Sequence, residues 1–212
     1  LTYGIDLEMD QMVHATVRFN PYQGGAIKHY DAELAQQMRG VEAVLPVTNG
    51  IIVVADNTWR AFEAAKAVQV EWGTGPYPAE MDQHWSAVAA SFTEDYLDKQ
   101  WRDDGDVEAV QATGQRIKAE YRAPYLAHAP LEPISAIVKV EDQRVDVWTA
   151  HQFPGFVLQM VAEITGVDVQ NVHLHNQYCG GSFGHRLEFE NIRYATEVAK
   201  QLKGRPVKLT FM

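Results

Sequence analysis

The order of apolar and polar positions along this chain predicts a mixed α+β fold. Residues 12–18 alternate apolar and polar side chains, the period of two expected of a half-buried strand. Residues 26–30 read as a second strand. A short helical pattern over 32–38 begins after Asp31, a good N-capping residue, and stops at Gly40. Apolar runs at 41–47 and 51–55 flank Thr48-Asn49-Gly50, and Asn-Gly accommodates the positive φ of a tight hairpin. Asp56 or Asn57 caps a helix over 58–67, and 68–72 is a strand. Trp59, Phe62 and Trp85 are expected in the core.

The segment Gly73-Thr74-Gly75-Pro76-Tyr77-Pro78 is the clearest linker signal in the chain. After it, Met81, Trp85, Val88, Phe92 and Tyr96 recur at three or four residues, which predicts an amphipathic helix broken at 102–106. Strands are expected at 117–122, 135–140, 145–149, 172–176 and 207–211. Helices are expected at 156–165, ended by Gly166, and at 187–202, ended by Gly204. The organisation this implies is a small α/β domain over 1–76, a linker and amphipathic helix over 77–105, and a second α+β domain over 106–212.

Composition narrows the chemistry. A chain of 212 residues holds one or two domains with a real core. The net charge of −10 argues against nucleic acid as a partner. No apolar run reaches the roughly 18–20 residues that span a bilayer. A single cysteine leaves no intramolecular disulfide, four-cysteine zinc site or cysteine-ligated iron–sulfur cluster within the chain. Leu1 opens directly into Tyr3-Gly4-Ile5-Asp6, and residues 209–212 end on a β-like run; both ends read as cut, so an internal piece of a larger subunit is expected.

Candidate chemistry concentrates in Cys179-Gly180-Gly181-Ser182-Phe183-Gly184-His185-Arg186-Leu187-Glu188, between a strand and a helical pattern. Glycines there let backbone amides point outward, a geometry suited to a phosphate or another anionic oxygen. It is neither a Walker A loop nor a G-x-G-x-x-G fingerprint, and a tight packing turn reads equally well. Gln152, at a strand end before Pro154, offers an amide with two donors and one acceptor. His173 and His175 share a strand face near Cys179, yet polar strand residues account for them better than a metal site does. Cys179 is read as packing, or as a nucleophile paired with His128 or His151. Glu132, before Pro133, reads as a buried carboxylate pairing with His128 or a loop amide. Glu188 and Glu190 suit a helix N-terminus. Arg186 reads either as neutralising a phosphate or as capping a carboxylate.

Four ordered segments carry a family resemblance. Gly180-Gly181-Ser182-Phe183-Gly184-His185-Arg186-Leu187-Glu188 resembles the glycine motif of the molybdenum hydroxylases, the xanthine dehydrogenase and aldehyde oxidase superfamily. The pattern is most similar to that of isoquinoline 1-oxidoreductase-like large subunits. Ala127-His128-Ala129-Pro130-Leu131-Glu132-Pro133, Val147-Trp148-Thr149-Ala150-His151-Gln152-Phe153-Pro154 and Gly105-Asp106-Val107-Glu108-Ala109 resemble three further motifs in the same order. Residues 6–72 resemble the small hammerhead domain of these subunits. The chain departs from the pattern at Ser182, where the family has a third glycine, and at His185.

The resemblance implies a hammerhead-type domain followed by part of a molybdopterin-binding domain. It implies hydroxylation of an aldehyde or N-heterocycle with water as the oxygen source. The cofactor would be molybdopterin, expected as its cytosine dinucleotide, held by Gln152, Gly180, Gly181, Ser182, Phe183, Gly184 and Arg186. Electrons would leave through iron–sulfur clusters on a small partner subunit or another electron-transfer partner. The family's glutamate base belongs to a C-terminal region beyond these residues, so no catalytic residue is assigned here. The compartment is open between periplasm, which the resemblance allows, and cytoplasm. The rival readings are a non-catalytic assembly module of such a complex and, more remotely, a Cys179/His hydrolase.

Overall fold

The computed structural model describes residues 1–22 and 24–212, and the side chains of Val107, Glu108 and Ala112 lie outside what it describes. In chain order the elements are β1 (Val13–Phe19), β2 (Ile27–Asp31), α1 (Glu33–Gln36), β3 (Val41–Val47), β4 (Gly50–Ala55), α2 (Thr58–Ala67) and β5 (Gln69–Trp72). There follow α3 (Met81–Ala90), α4 (Val107–Thr113), β6 (Ser135–Val140), β7 (Val145–Thr149), α5 (Pro154–Thr165), β8 (Val172–Asn176), α6 (Glu190–Gln201) and β9 (Val207–Thr210). No helix among the described residues is long and apolar enough to cross a membrane.

Two compact units result: Leu1–Pro76 together with His128–Met212, and Tyr77–Ala127. The first is built on a seven-stranded mixed sheet in the order β3-β4-β1-β9-β6-β7-β8, beside a two-stranded antiparallel pair, β2 and β5. This differs from the expected division into 1–76 and 106–212. Strand β9 lies between the two halves, parallel to β1 and antiparallel to β6, and fuses them into one sheet. The linker signal at 73–78 marks where the chain leaves this unit at Pro76, not where a separately folded domain ends.

The side-chain period of two sorts the apolar residues onto the sheet's two faces. On β4, Ile52 and Val54 join the main core with Val13, Ala15 and Val17 of β1 and the apolar faces of α5 and α6. The alternate residues Ile51 and Val53 join a second cluster with Ala35 of α1 and Ala64 and Ala65 of α2. A strand covered on both faces must be continuously apolar, which is why 51–55 carries no polar residue. Local signals hold: Asn49 has φ 56° in the β3–β4 turn, the Asn57 side chain accepts from the Arg60 amide, and Gly166 ends α5 in the left-handed conformation. Asp31 accepts from the Glu33 amide, although α1 is shorter than expected.

Four local expectations fail. The helix expected through Tyr96 stops at Ala90, and none of its residues is buried. Residues 117–122 form no strand: alternation becomes a strand only with a ladder partner and a buried face, yet Ile117 and Tyr121 are 89% and 92% exposed. Trp59 is 68% exposed with Lys66 Nζ 5.7 Å from its ring centre, because the inward face of α2 is filled by alanines. Near residue 187 the expected long helix divides into a 3₁₀ turn, His185–Leu187, and α6.

Candidate functional site

Strands β7 and β8 are parallel neighbours, with Thr149 opposite Asn176, so both chains leave the sheet at the same edge. The carboxyl ends of parallel strands are where open α/β sheets place ligands. From β7 the chain runs through His151 and Gln152 into α5, which starts at Pro154. From β8 it runs into the glycine-rich turn. Asn176 ties the two exits together: its side chain accepts from the His151 amide at 2.9 Å and donates to the His151 carbonyl at 3.1 Å.

The turn closes with a hydrogen bond from the His185 amide to the Ser182 carbonyl, 3.0 Å. Phe183 and Gly184 between them have φ of 53° and 99°, the mirror-image turn that needs positive φ at both central residues. The third-glycine position, Ser182, lies outside the left-handed region, so its Cβ carries no backbone penalty there. The strain falls on Phe183, a residue 76% exposed; a bulky side chain in this conformation costs about 1–2 kcal/mol. The amides of Gly181, Ser182, Phe183 and Gly184 donate to no group among the described residues. Gly184 is open: a Cβ built there would come no nearer than 3.7 Å, to His128 Nε2.

Gln152 and Ser182 meet. The Ser182 hydroxyl donates to Gln152 Oε1 and accepts from the Arg186 amide at 3.2 Å, while the Gln152 amide donates to the Arg186 carbonyl at 3.1 Å. The carboxamide is thereby oriented, and its NH2 group has no partner among the described residues. Gly180 and Arg186 sit differently. Both belong to the layer beneath the turn, packed on Glu132, whose carboxylate takes the Arg186 guanidinium at 2.7 Å and the Gly180 amide at 2.8 Å. Of the two partners expected for Glu132, the loop amide is present; the cation beside it is Arg186, 54 residues away, and not His128. His128 instead stacks on His185, with ring centres 5.0 Å apart. Clefts of about 580 and 630 Å³ border the turn, one lined by Glu132, Gly180 and Phe183, the other by His128, His185 and Tyr194.

The remaining candidates do not converge on chemistry. His175 Nε2 donates to the Asp146 carboxylate, 2.7 Å away, and the ring stacks on Trp148. Asp146 is held down at about 2, first by its hydrogen bonds from Arg144. No group of three metal-ligating side chains occurs among the described residues. Cys179 is exposed, its thiol directed at the Gly181 carbonyl at 3.3 Å. His151 is not available to it as a base. Its Nε2 faces the Glu188 carbonyl at 3.0 Å, and its Nδ1 accepts from the Phe153 amide at 3.0 Å.

His151 is a support that residue type alone did not reveal. Burial, reinforced by the Arg186 charge, holds its pKa below 6.5. A base whose folded pKa is depressed contributes stability above its unfolded pKa and loses it as pH falls through the folded value. The chain is therefore expected to lose stability below about pH 6.5, with His14, also depressed by burial, adding to the slope. The His151→Gln variant should show a smaller drop in urea midpoint between neutral and mildly acidic buffer; an unchanged drop refutes the assignment.

Comparison with known proteins fits this geometry. The model of the molybdopterin cofactor-binding domain matches residues 90–212, more than half of the chain. The chain belongs to the molybdopterin cofactor-binding domain family. It is 26% identical over 218 residues to the beta chain of isoquinoline 1-oxidoreductase from Brevundimonas diminuta, covering 98% of this chain and 28% of that one. It is 25% identical over 212 residues to the molybdenum-binding chain of an aldehyde oxidoreductase from Escherichia coli (strain K12), covering 87% of this chain and 28% of the relative. Among solved structures, quinoline 2-oxidoreductase from Pseudomonas putida 86 superposes with a TM-score of 0.75 at 21% identity, over 98% of this chain and 32% of that one. The aldehyde oxidoreductase of Desulfovibrio gigas does so at 0.70 and 20%, over 99% and 28%. These structural likenesses establish the mixed α/β fold. The chain spans less than a third of the length of these relatives.

The molybdopterin-binding domain has a donor set that fits such a group. A pterin and its phosphate are rich in acceptors, and four consecutive unpaired amides, with the oriented NH2 of Gln152, are donors held in place before any ligand arrives. Gly180 and Arg186 are absent from that set because Glu132 engages them.

Proposed function

We propose that this chain forms one wall of the cofactor site in a molybdenum-containing oxidoreductase that hydroxylates an aldehyde or an N-heterocycle. The observation carrying the reading is the convergence of Gln152 and the left-handed turn at the carboxyl edge of β7 and β8. When bound, molybdopterin supplies the two-electron redox chemistry by which an oxygen atom from water enters the substrate. This chain's part is to bind and orient. The amides of Gly181, Ser182, Phe183 and Gly184 hold acceptor oxygens, and Gln152, fixed by Ser182, presents a directed donor. The same proposal includes the cytosine dinucleotide form of the cofactor and a separate iron–sulfur partner. It is supported by relatives that are themselves named as single components of multi-component oxidoreductases. Since this chain covers 28% of the isoquinoline relative, the other walls and the base come from sequence outside these residues.

The test is Gly184→Val in the holoenzyme. A β-branched residue cannot take φ near 99°, so the turn must open and its amides re-aim. Molybdenum per mole of folded enzyme should fall several-fold. Wild-type loading in a variant that folds normally would overturn the reading.

A further inference from the structure

The layer beneath the turn has a connected pattern of bonds that packing alone does not require, with only Nη1 of the Arg186 guanidinium left buried and unpartnered among the described residues. Glu132 and Arg186 are both buried, with side-chain exposures of 5% and 2%. The Glu132 amide donates to the Gly180 carbonyl at 3.0 Å, and the Glu132 carboxylate receives the Gly180 amide at 2.8 Å, so one residue grips both polar groups of one glycine. The same carboxylate reaches the Ile5 amide at 3.3 Å. From the other side, Arg186 Nε donates to the Gly181 carbonyl at 2.7 Å, and Nη2 donates to the Glu132 carboxylate and, at 3.3 Å, to its carbonyl. The Arg186 backbone closes the circuit, donating to the Ser182 hydroxyl and accepting from the Gln152 amide.

We propose that Glu132 and Arg186 are positioning residues that hold both halves of the site, the Gly181–Gly184 amides and the Gln152 carboxamide, in one register. The inference rests on the functional reading above. Its physical content is that a planar guanidinium is a rigid fork. One prong fixes the Gly181 carbonyl, which sets the plane of the peptide that follows. The other is fixed by Glu132, which in turn fixes Gly180. Gly180 is glycine for this reason: a Cβ there would collide with the Cβ of Glu132. Gln152 and Ser182 take their positions from the Arg186 main chain, and the Arg186 side chain anchors that main chain on Glu132, so both strand exits depend on one residue. Groups that orient groups at a bound centre commonly govern loading as strongly as the contacts themselves.

A single truncation would leave one charge buried and unpaired, so Arg186→Met alone is expected to unfold. The informative variant is Glu132→Gln with Arg186→Met, which removes both charges together and keeps the bulk; such exchanges are often tolerated by the fold. In the holoenzyme, three quantities are read: the melting midpoint, hydrogen–deuterium exchange over peptides spanning residues 180–186, and the molybdopterin and molybdenum content. The double variant should melt near the wild type and exchange faster only in the 180–186 peptides. Its cofactor content should fall by about 10–100-fold. Arg186→Lys, which keeps the charge for Glu132 but not the planar fork, should fold like the wild type and still load cofactor poorly. The proposal is overturned if the folded double variant loads cofactor normally, or if exchange rises across the whole sheet, which would make the pair a stability element only. The Gly184→Val variant separates the two claims. Normal loading there sinks the functional reading. Poor loading there beside normal loading in the double variant sinks the strut alone.

Discussion

Replacing Gln152 with alanine in the holoenzyme is expected to lower kcat by about 10²–10³, equivalent to roughly 2–4 kcal/mol of transition-state stabilisation. The size follows from how the carboxamide is held. Its oxygen accepts from Ser182 and its own backbone is anchored on Arg186, so no reorientation is needed when the NH2 group meets charge that develops during reaction. A loose surface glutamine would forfeit most of this in ordering. Molybdenum content should stay close to wild type, since four backbone amides remain, and KM should change less than kcat. Wild-type kcat in a fully loaded Gln152→Ala enzyme would show that the oriented amide serves the turn and not the reaction.

The local structure of the first unit was legible because its residues obey one rule at a time. Alternation at 13–17, an unbroken apolar run at 51–55, Asn-Gly at 49–50 and Gly166 after α5 each have a single physical reading, and each is realised. The same rules fail in Tyr77–Ala127 because spacing reports a face, not what covers it. Trp85, Phe92 and Tyr96 recur with a helical period, but α3 buries none of its residues. The division of the chain was illegible for a topological reason. The strand that unites the two halves, β9, is four residues long and includes Lys208. That lysine is buried because its Nζ reaches the Leu7 carbonyl at 2.7 Å and Glu8 at 3.1 Å, contacts about 200 residues away that no local pattern announces.

The site divides the same way. Gln152 and the glycine turn stand out through residue type and position, and the fold brings them into contact. What the sequence hides is the assignment within the turn: positive φ falls on Phe183, not Ser182, and the arginine, Arg186, faces inward to Glu132. The carbonyls of Gly180 and Gly181 are gripped from below by the Glu132 amide and the Arg186 guanidinium, and Glu132 lies 54 positions before the arginine it holds. The supporting roles of His151 and Asn176 escape notice because a strand-end histidine and asparagine are common, and only the parallel register of β7 and β8 makes them partners.

Leu209→Ala is expected to destabilise the chain by about 2–5 kcal/mol, a large share of the roughly 5–15 kcal/mol typical of a domain. Leu209 is fully buried at the centre of the sheet, and its lateral neighbours are Ala15 on β1 and Ala136 on β6. Flanked by alanines, it alone supplies bulk at that point, and small neighbours on stiff strands cannot close the space its removal leaves. The penalty is therefore expected toward the upper end of the range. Because β9 joins the strand pair β1–β4 to β6–β7–β8, the loss should be shared. Urea unfolding of the full chain should remain a single transition with a lower midpoint and an unchanged slope. Hydrogen-exchange protection should fall together in 50–55 and in 135–149. Loss confined to 135–149, with 50–55 still protected, would mean that residues 1–76 fold on a core of their own and that the single sheet is not the cooperative unit.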